Sequence, residues 1–361
     1  LEGDRFDGHA FVADALARGA AGALVRSSAD LAPGDDAPLL RVPDTRKALL
    51  NLAVGYRQHV GADIVGITGS VGKSTVKEMT LAVLSTTLKT AGTRGNWNND
   101  VGLPLSMLAM PPDTAVGVFE IGTNHPGEIA ALADVLGARV GLVTNIGVAH
   151  IEAFWSVRSI AEEKAGLLRS LPDDGVAVVN MDGGHAELLR DAAPCPVTTV
   201  SLGGPADFTC SYFDPAEGRM DVIEAGDPQA HTLRLPLAGR HLLMDGLLAA
   251  AVARSFDVDW SAIEDALAGF KALPMRGQQA DVGGVIFVND AYNANPLSMR
   301  ASLEAFEVMS CGTRKWLALG DMLELGDHAR GEHRALGLLA GQGHWQGLVA
   351  VGEWADVVAG D

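Results

Sequence analysis

The chain has 361 residues, 48% of them hydrophobic and 20% charged, enough to bury a sizeable core and to form two or three domains. Its 27 Lys and Arg stand against 45 Asp and Glu, a formal charge of -18, which argues against nonspecific affinity for nucleic acid or an anionic membrane and makes any anionic substrate depend on a local cluster of cations. Cys195, Cys210 and Cys311 are far apart and form no C-x-x-C pair, so a disulfide framework or structural zinc site is not expected and a reducing, cytoplasmic setting is the default.

Taken in chain order, residues 1 to about 61 read as the remnant of a small α/β domain: a helical pattern through Phe11 and Leu16, a strand at "AAGALV", then a Pro/Asp-rich loop. No charged-then-apolar leader opens the chain, and no apolar run reaches the length of a membrane span. Both ends fall inside ongoing patterns, so the sequence is expected to be part of a longer protein.

From Asp63 onward, short β-branched runs alternate with helical patterns, which predicts parallel strands joined by crossover helices. The strand candidates are "DIVGIT", "AVGVFEIG", "ARVGLVTNIG", "GVAVVNMD", "GVIFVND", "KWLALGD" and "QGLVAVG". Polar residues recur at or just beyond their ends: Glu120, Asn145, Asp182, Asp290 and Asp321. In open α/β sheets ligands bind beyond the carboxyl ends of the strands, so these side chains are expected to converge on the site of chemistry. Turn signals between short extended runs at 210–237 predict an antiparallel excursion inside the middle domain, and "FKALPMRGQQADVGG", with Pro274 and several glycines, is the best boundary before the last unit. The expected division is 1–61, 62–273 and 274–361.

The most informative stretch is "GITGSVGKSTVKEM", Gly66 to Met79. The strict pattern G-x-x-x-x-G-K-[ST] would need glycine where this chain has Ile67. The chemistry itself needs a tight turn after a strand, then Gly72-Lys73-Ser74 opening a helix, and the helix is supported by Val76, Met79, Val83 and Leu84 on one face. In such a loop the backbone amides of Gly69, Ser70, Val71, Gly72 and Thr75 cradle phosphate oxygens, Lys73 reaches the terminal phosphates and the Ser74 hydroxyl binds magnesium. A glycine-rich turn with a merely solvated lysine is the bland alternative. The ordered run of strand, turn, lysine, hydroxyl and helix favours the nucleotide site. Downstream, Glu120 ends a strand as a magnesium carboxylate should, and His150 and Glu152 follow another strand end. Spacing alone leaves His150 a loop histidine, Glu152 a solvated carboxylate and Lys164 a helix-surface lysine as readily as functional groups.

"TGSVGKST", "GNWNNDVGLP", "FEIGTNHPGE", "AHIEAFWS", "LAGRH", "DAYNANPLSM" and "GDMLELG" together resemble the Mur ligase family over nearly the whole chain, and within it the branch that adds D-alanyl-D-alanine. "DAYNANPLSM" with "GDMLELG" is the more specific signal, because the phosphate loop is shared by all Mur ligases and folylpolyglutamate synthetases. The family's own loop is T-G-[TS]-x-G-K-[ST], so Ile67 is ordinary there. The resemblance implies an α/β, three-domain architecture: an N-terminal domain for a uridine nucleotide, truncated here, a central P-loop ATPase with a parallel sheet, and a Rossmann-like C-terminal domain, also truncated. It implies that ATP and two Mg2+ serve a reaction between UDP-N-acetylmuramoyl-tripeptide and D-alanyl-D-alanine, catalysed by a monomer.

By position the resemblance assigns Lys73 and Ser74 to phosphate and magnesium, and Glu120 and His150 to the metal site. Lys164 matches a lysine that is carbamylated in these ligases and so becomes an anionic metal ligand. Arg276 and Asp290 match residues that contact ATP, the aspartate through ribose. His241 lies in the motif written G-x-H-N-x-x-N, whose asparagine positions are here Leu242 and Asp245, a departure on the adenine side. Ala165 and Gly166 replace the Gly-Glu that often follows the modified lysine. The rival readings are a Mur ligase adding diaminopimelate or lysine, a P-loop kinase or GTPase, although no clear N-K-x-D is present, and a noncatalytic nucleotide-binding protein.

Overall fold

β-Branched runs with both faces apolar make strands that must be covered on both sides, and such strands build the centre of this molecule. The computed structural model describes residues 1–3, 6–31, 38–149, 151–310 and 314–360. Two short parallel strands, β1 (Ala23–Arg26) and β2 (Leu39–Val42), form a pair of their own. A nine-stranded sheet follows, made of β3 (Asp63–Thr68), β4 (Thr90–Gly92), β5 (Val116–Glu120), β6 (Val140–Val143), β7 (Val176–Asn180), β8 (Val197–Ser201), β9 (Phe208–Asp214), β10 (Arg219–Glu224) and β11 (Ala230–Arg234). Its spatial order is β11-β10-β9-β8-β7-β6-β3-β5-β4. Pairings from β4 across to β9 are parallel, while β10 is antiparallel to both β9 and β11. The antiparallel excursion expected near 210–237 therefore extends the main sheet, because β9 pairs with β8. The chain passes from β5 to β6 across β3, and that reversal opens a crevice at the carboxyl end of β3.

Alternation along the strands sorts side chains into two cores. Val65 and Ile67 of β3 join Val76, Met79, Val83 and Leu84 of the helix Lys73–Leu84 and the apolar helix Arg240–Arg254. Ile64 joins Phe119 and Val143 on the opposite face, under the helices Glu128–Leu136 and Val157–Arg169. Ile67 is fully buried and pairs in register with Glu120 and Leu142, so this position belongs to the strand and the phosphate turn begins only beyond Thr68. That is the structural reason a glycine is unnecessary there.

The helix Thr45–Val60, which the sequence pattern did not reveal, is capped by Asp44 and places Ala53 in the same core as Ile64. Phe11, read as part of a helical face, is instead exposed, because Gly8–Phe11 is a 3-10 turn capped by Asp7 and the α-helix starts at Val12. The Pro/Asp-rich loop at 32–37 lies outside the described residues, as does Cys311.

Beyond residue 274, β12 (Gln278–Val282) and β13 (Val285–Asn289) form an antiparallel hairpin, and β14 (Trp316–Leu319) pairs in parallel with β15 (Gly347–Ala350). The hairpin corrects the expectation that "GVIFVND" is another crossover strand. Gly283 and Gly284 both take positive φ, 63° and 84°, the backbone of a two-residue hairpin turn, which returns the chain directly onto β12. A third core gathers Leu303, Leu317, Leu319, Met322, Leu336 and Val358, and it also receives Ile151 from the segment after β6. Among the described residues no helix is long and apolar enough to cross a membrane.

Candidate active site

The turn after β3 can be tight only because two of its residues lack side chains. Gly69 has φ +155°, and a Cβ there would fall 1.9 Å from Thr144 Oγ1; Gly72 has φ +81°, and a Cβ would lie 2.8 Å from Asp245 Oδ1. The loop is then pinned to the end of β6. The Ser70 amide donates to the Asn145 carbonyl at 3.0 Å, and the Val71 amide donates to Asn145 Oδ1 at 3.0 Å. The Val71 carbonyl accepts from Thr144 Oγ1 at 2.5 Å and from Asn145 Nδ2 at 3.1 Å. Ser70 Oγ donates to the Gly147 carbonyl at 3.1 Å. Lys73 opens the helix, and its Nζ arches back to the Gly69 carbonyl at 2.8 Å.

Ser74 Oγ donates to Glu120 Oε2 at 2.7 Å, and Asn98 Nδ2 donates to Glu120 Oε1 at 2.7 Å. The Glu120 amide donates to Thr93 Oγ1 at 2.9 Å. Both carboxylate oxygens are thus aimed by neighbours, and Ser74 Oγ accepts a second hydrogen bond from Arg276 Nη2 at 3.1 Å, across 202 residues of sequence. A hydroxyl and a carboxylate held face to face form a hard-oxygen pair suited to Mg2+. His150, the histidine expected at the metal site, lies outside the described residues. Among the described residues no group of three or more His, Cys, Asp and Glu side chains converges as a metal site.

Lys164 is buried on the helix Val157–Arg169, and among the described residues no hydrogen bond to its ammonium is seen. Burial, reinforced by the charge of Lys73, holds its pKa down to about 7, while Glu163 opposes the shift. Burial also lowers Lys73, which Glu120 counteracts. Glu163 accepts the amides of Gly127 and Ile129 at 2.7 and 2.8 Å, so the residue beside Lys164 ties its helix to the start of the helix Glu128–Leu136. At Gly166 an added Cβ would be in ordinary contact with the Ala130 amide nitrogen, at 3.4 Å.

These groups open into a cleft of about 820 Å3. Ser70, Val71, Gly72, Lys73, Ser74, Thr75, Glu120 and Lys164 line it together with His241, Arg276 and Asp290. Burial lowers the pKa of His241, and Asp290 opposes the shift. Asp290 Oδ1 accepts the Gly277 amide at 3.0 Å and its other oxygen is bonded by Ser302. Of the polar strand ends, Glu120, Asn145, Asp182 and Asp290 reach the cleft. Asp321 does not: it accepts the amides of Glu353 and Trp354 at 2.7 and 3.1 Å and fixes a turn. Glu152 is exposed against Gly326, away from the cleft lining.

Two family patterns match the chain in the order of these elements. The Mur ligase middle domain covers residues 67–253, and the Mur ligase, glutamate ligase domain covers 275–356. The chain belongs to the Mur ligase family. This Mur ligase is 37% identical to the UDP-N-acetylmuramoyl-tripeptide--D-alanyl-D-alanine ligase of Bacillus subtilis (strain 168), over 93% of its own length and 73% of that protein's. It superposes on MurF of Acinetobacter baumannii with a TM-score of 0.89 at 32% identity, covering 99% of this chain and 78% of that one. The MurF ligase of Thermotoga maritima, solved in complex with ADP, gives 0.86 at 27% identity, with 99% and 82% covered.

Several residues that shape the site of this Mur ligase were not singled out as site residues from sequence. Thr144 clamps the loop, Asn98 orients Glu120, and Tyr292 covers Arg276. The run "GNWNND" held a signal for Asn98, since polar residues crowded after a short strand need partners. Thr144 sits inside an apolar strand pattern and gave none.

Proposed function

We infer that this chain is an ATP-dependent ligase joining D-alanyl-D-alanine to UDP-N-acetylmuramoyl-tripeptide during peptidoglycan precursor synthesis. The observation that carries the reading is its 37% identity, across 93% of the chain, to a ligase of that name, supported by a phosphate loop in which Ser74 bridges Glu120 and Arg276 within one cleft.

A carboxylate is a poor electrophile at neutral pH, so the tripeptide carboxylate must first gain a leaving group. Its oxygen attacks the γ-phosphorus of ATP, the bond to the β-γ bridging oxygen breaks, and ADP and an acyl phosphate form. The dipeptide amine then attacks the acyl carbon, and phosphate departs from the tetrahedral intermediate as the amine loses its proton. The loop amides from Gly69 to Thr75 and the start of the helix would cradle the phosphates. Lys73 and Arg276 would offset charge on the transferring group from two sides, the role that preorganised cations fill best in a cleft away from water. His241 and Asp290 would meet the nucleoside side.

Ser74 and Glu120, with His150 and a carbamylated Lys164, would hold two Mg2+. Bound magnesium supplies charge neutralisation and polarises the phosphoryl oxygens. Carbamylation suits Lys164 because a buried amine with no hydrogen-bond partner among the described residues gains, as a carbamate, an anionic oxygen that a metal can use. Division at 61/62 and 273/274 would assign the three segments to the uridine substrate, to ATP and to closure over the nucleotide. ATP and UDP-linked precursors are cytoplasmic compounds, and we place a monomeric enzyme there, with no nucleic-acid partner.

A coupled ADP-release assay with UDP-N-acetylmuramoyl-tripeptide, with and without D-alanyl-D-alanine, tests the reading. Release should require both substrates and fall by orders of magnitude in Lys73→Ala. Enzyme stripped of carbon dioxide should lose turnover and regain it with bicarbonate if Lys164 is carbamylated. Turnover with a hydroxyl acceptor in place of the amine would discard the ligase.

A further inference from the structure

Arg276 must reach from the unit after residue 274 to the phosphate loop, and an arginine side chain with that reach has many rotamers to lose. Its backbone is fixed at both sides. The Tyr292 amide donates to the Met275 carbonyl at 3.1 Å, and the Gly277 amide donates to Asp290 Oδ1 at 3.0 Å, so the two ends of the β12–β13 hairpin hold the turn that carries Arg276. Met275 within that turn has φ +56°, a conformation that a side chain other than glycine adopts only when its neighbours impose it.

The side chain is fixed by one ring. The Arg276 guanidinium carbon lies 3.9 Å from the centroid of the Tyr292 ring, close enough for face-on stacking, while its Nη2 donates to Ser74 Oγ. The Tyr292 hydroxyl makes no hydrogen bond among the described residues, and the residue is 38% exposed. The ring, and not the hydroxyl, is what the site uses. A planar guanidinium stacks on such a ring, whereas an ammonium does so less well.

We propose that Tyr292 is a positioning residue whose ring holds the Arg276 guanidinium over the phosphate loop, and that it acts on nucleotide binding and phosphoryl transfer through Arg276 alone. This rests on the ligase reading for its kinetic arm but not for its binding arm. It accounts for the tyrosine of "DAYNANP" without assigning it a substrate.

The test is a double-mutant cycle on the whole chain with Tyr292→Leu, Arg276→Ala and the pair. In calorimetry with Mg2+ and a nonhydrolysable ATP analogue, Tyr292→Leu should weaken binding about fivefold, Arg276→Ala by more, and the pair no further than Arg276→Ala. In the ADP-release assay, Tyr292→Leu should lower kcat about tenfold with the KM for D-alanyl-D-alanine unchanged, and Tyr292→Phe, which keeps the ring, should restore it to within about twofold. A full Tyr292→Leu effect persisting in the Arg276→Ala background would overturn the proposal, as would a Tyr292→Phe loss equal to that of Leu, or an effect confined to the dipeptide KM. If the wild-type chain releases no ADP with both substrates, the ligase reading fails, and the binding cycle still decides whether Tyr292 works through Arg276.

Discussion

Asp245 is one of the two residues, with Leu242, at which this chain departs from the G-x-H-N-x-x-N motif, and its surroundings say what that departure does. Its carboxyl group is buried on the helix Arg240–Arg254, directly beneath Gly72, and burial raises its pKa well above the usual carboxylate range, with Arg276 opposing the shift. In the unfolded chain the same group ionises near pH 4. Between these values the folded state binds more protons than the unfolded state, so stability is fully present below about pH 4 and falls as the pH rises through the window up to the folded pKa. Asp245→Asn removes that dependence. The melting temperature of the variant, measured without nucleotide, should exceed wild type by a few degrees at pH 7.5, and the gain should vanish near pH 4. Equal melting temperatures at both pH values would mean that the carboxyl group is solvated after all.

At the scale of elements, part of what looks like a chemical motif is a helix start. Asn295 accepts the Ser298 amide at 2.9 Å, and Ser298 Oγ accepts the Asn295 amide at 3.0 Å, a reciprocal cap with Pro296 at the first helical position of Pro296–Val308. The next residue, Leu297, packs against Gly147, where a Cβ would lie 2.7 Å from Leu297 Cδ2. The "NANPLS" run therefore fixes where this helix meets the loop behind the phosphate turn. Asn295→Ala should cost about 1 kcal/mol in denaturant unfolding, with most of it recovered by Asn295→Asp. A loss of activity with no change in stability would instead assign Asn295 to substrate.

At the scale of the molecule, the cleft is shared between two parts of the chain, which meet where Ile151 enters the third core, where Leu297 packs on Gly147 and where Arg276 donates to Ser74. A ligand that touches both parts should stabilise the whole. At about 100 times its Kd, ATP with Mg2+ should add about 2.7 kcal/mol to unfolding, read as a rise in melting temperature. Lys73→Ala should abolish the rise while leaving the unliganded melt close to wild type. A rise that survives in the variant would put the nucleotide elsewhere than on this loop.

The phosphate loop was legible because its chemistry is local: an apolar strand, glycines, a lysine, a hydroxyl and an amphipathic helix follow one another between Asp63 and Leu84, and each has a short-range physical reason to be there. The parallel sheet was legible for the same reason, from the period of its apolar runs. What joins Ser74 to Glu120, or places Asp245 under Gly72, is the order of strands in the sheet, and neither pair is close in sequence. Asp290 and Asp321 end similar strands, yet one faces the cleft and the other fixes a turn, while β13 turns back on β12 instead of crossing over. Local pattern determines which segments form strands and helices; only long-range packing decides which of their ends meet, and the chemistry belongs to the ends that do.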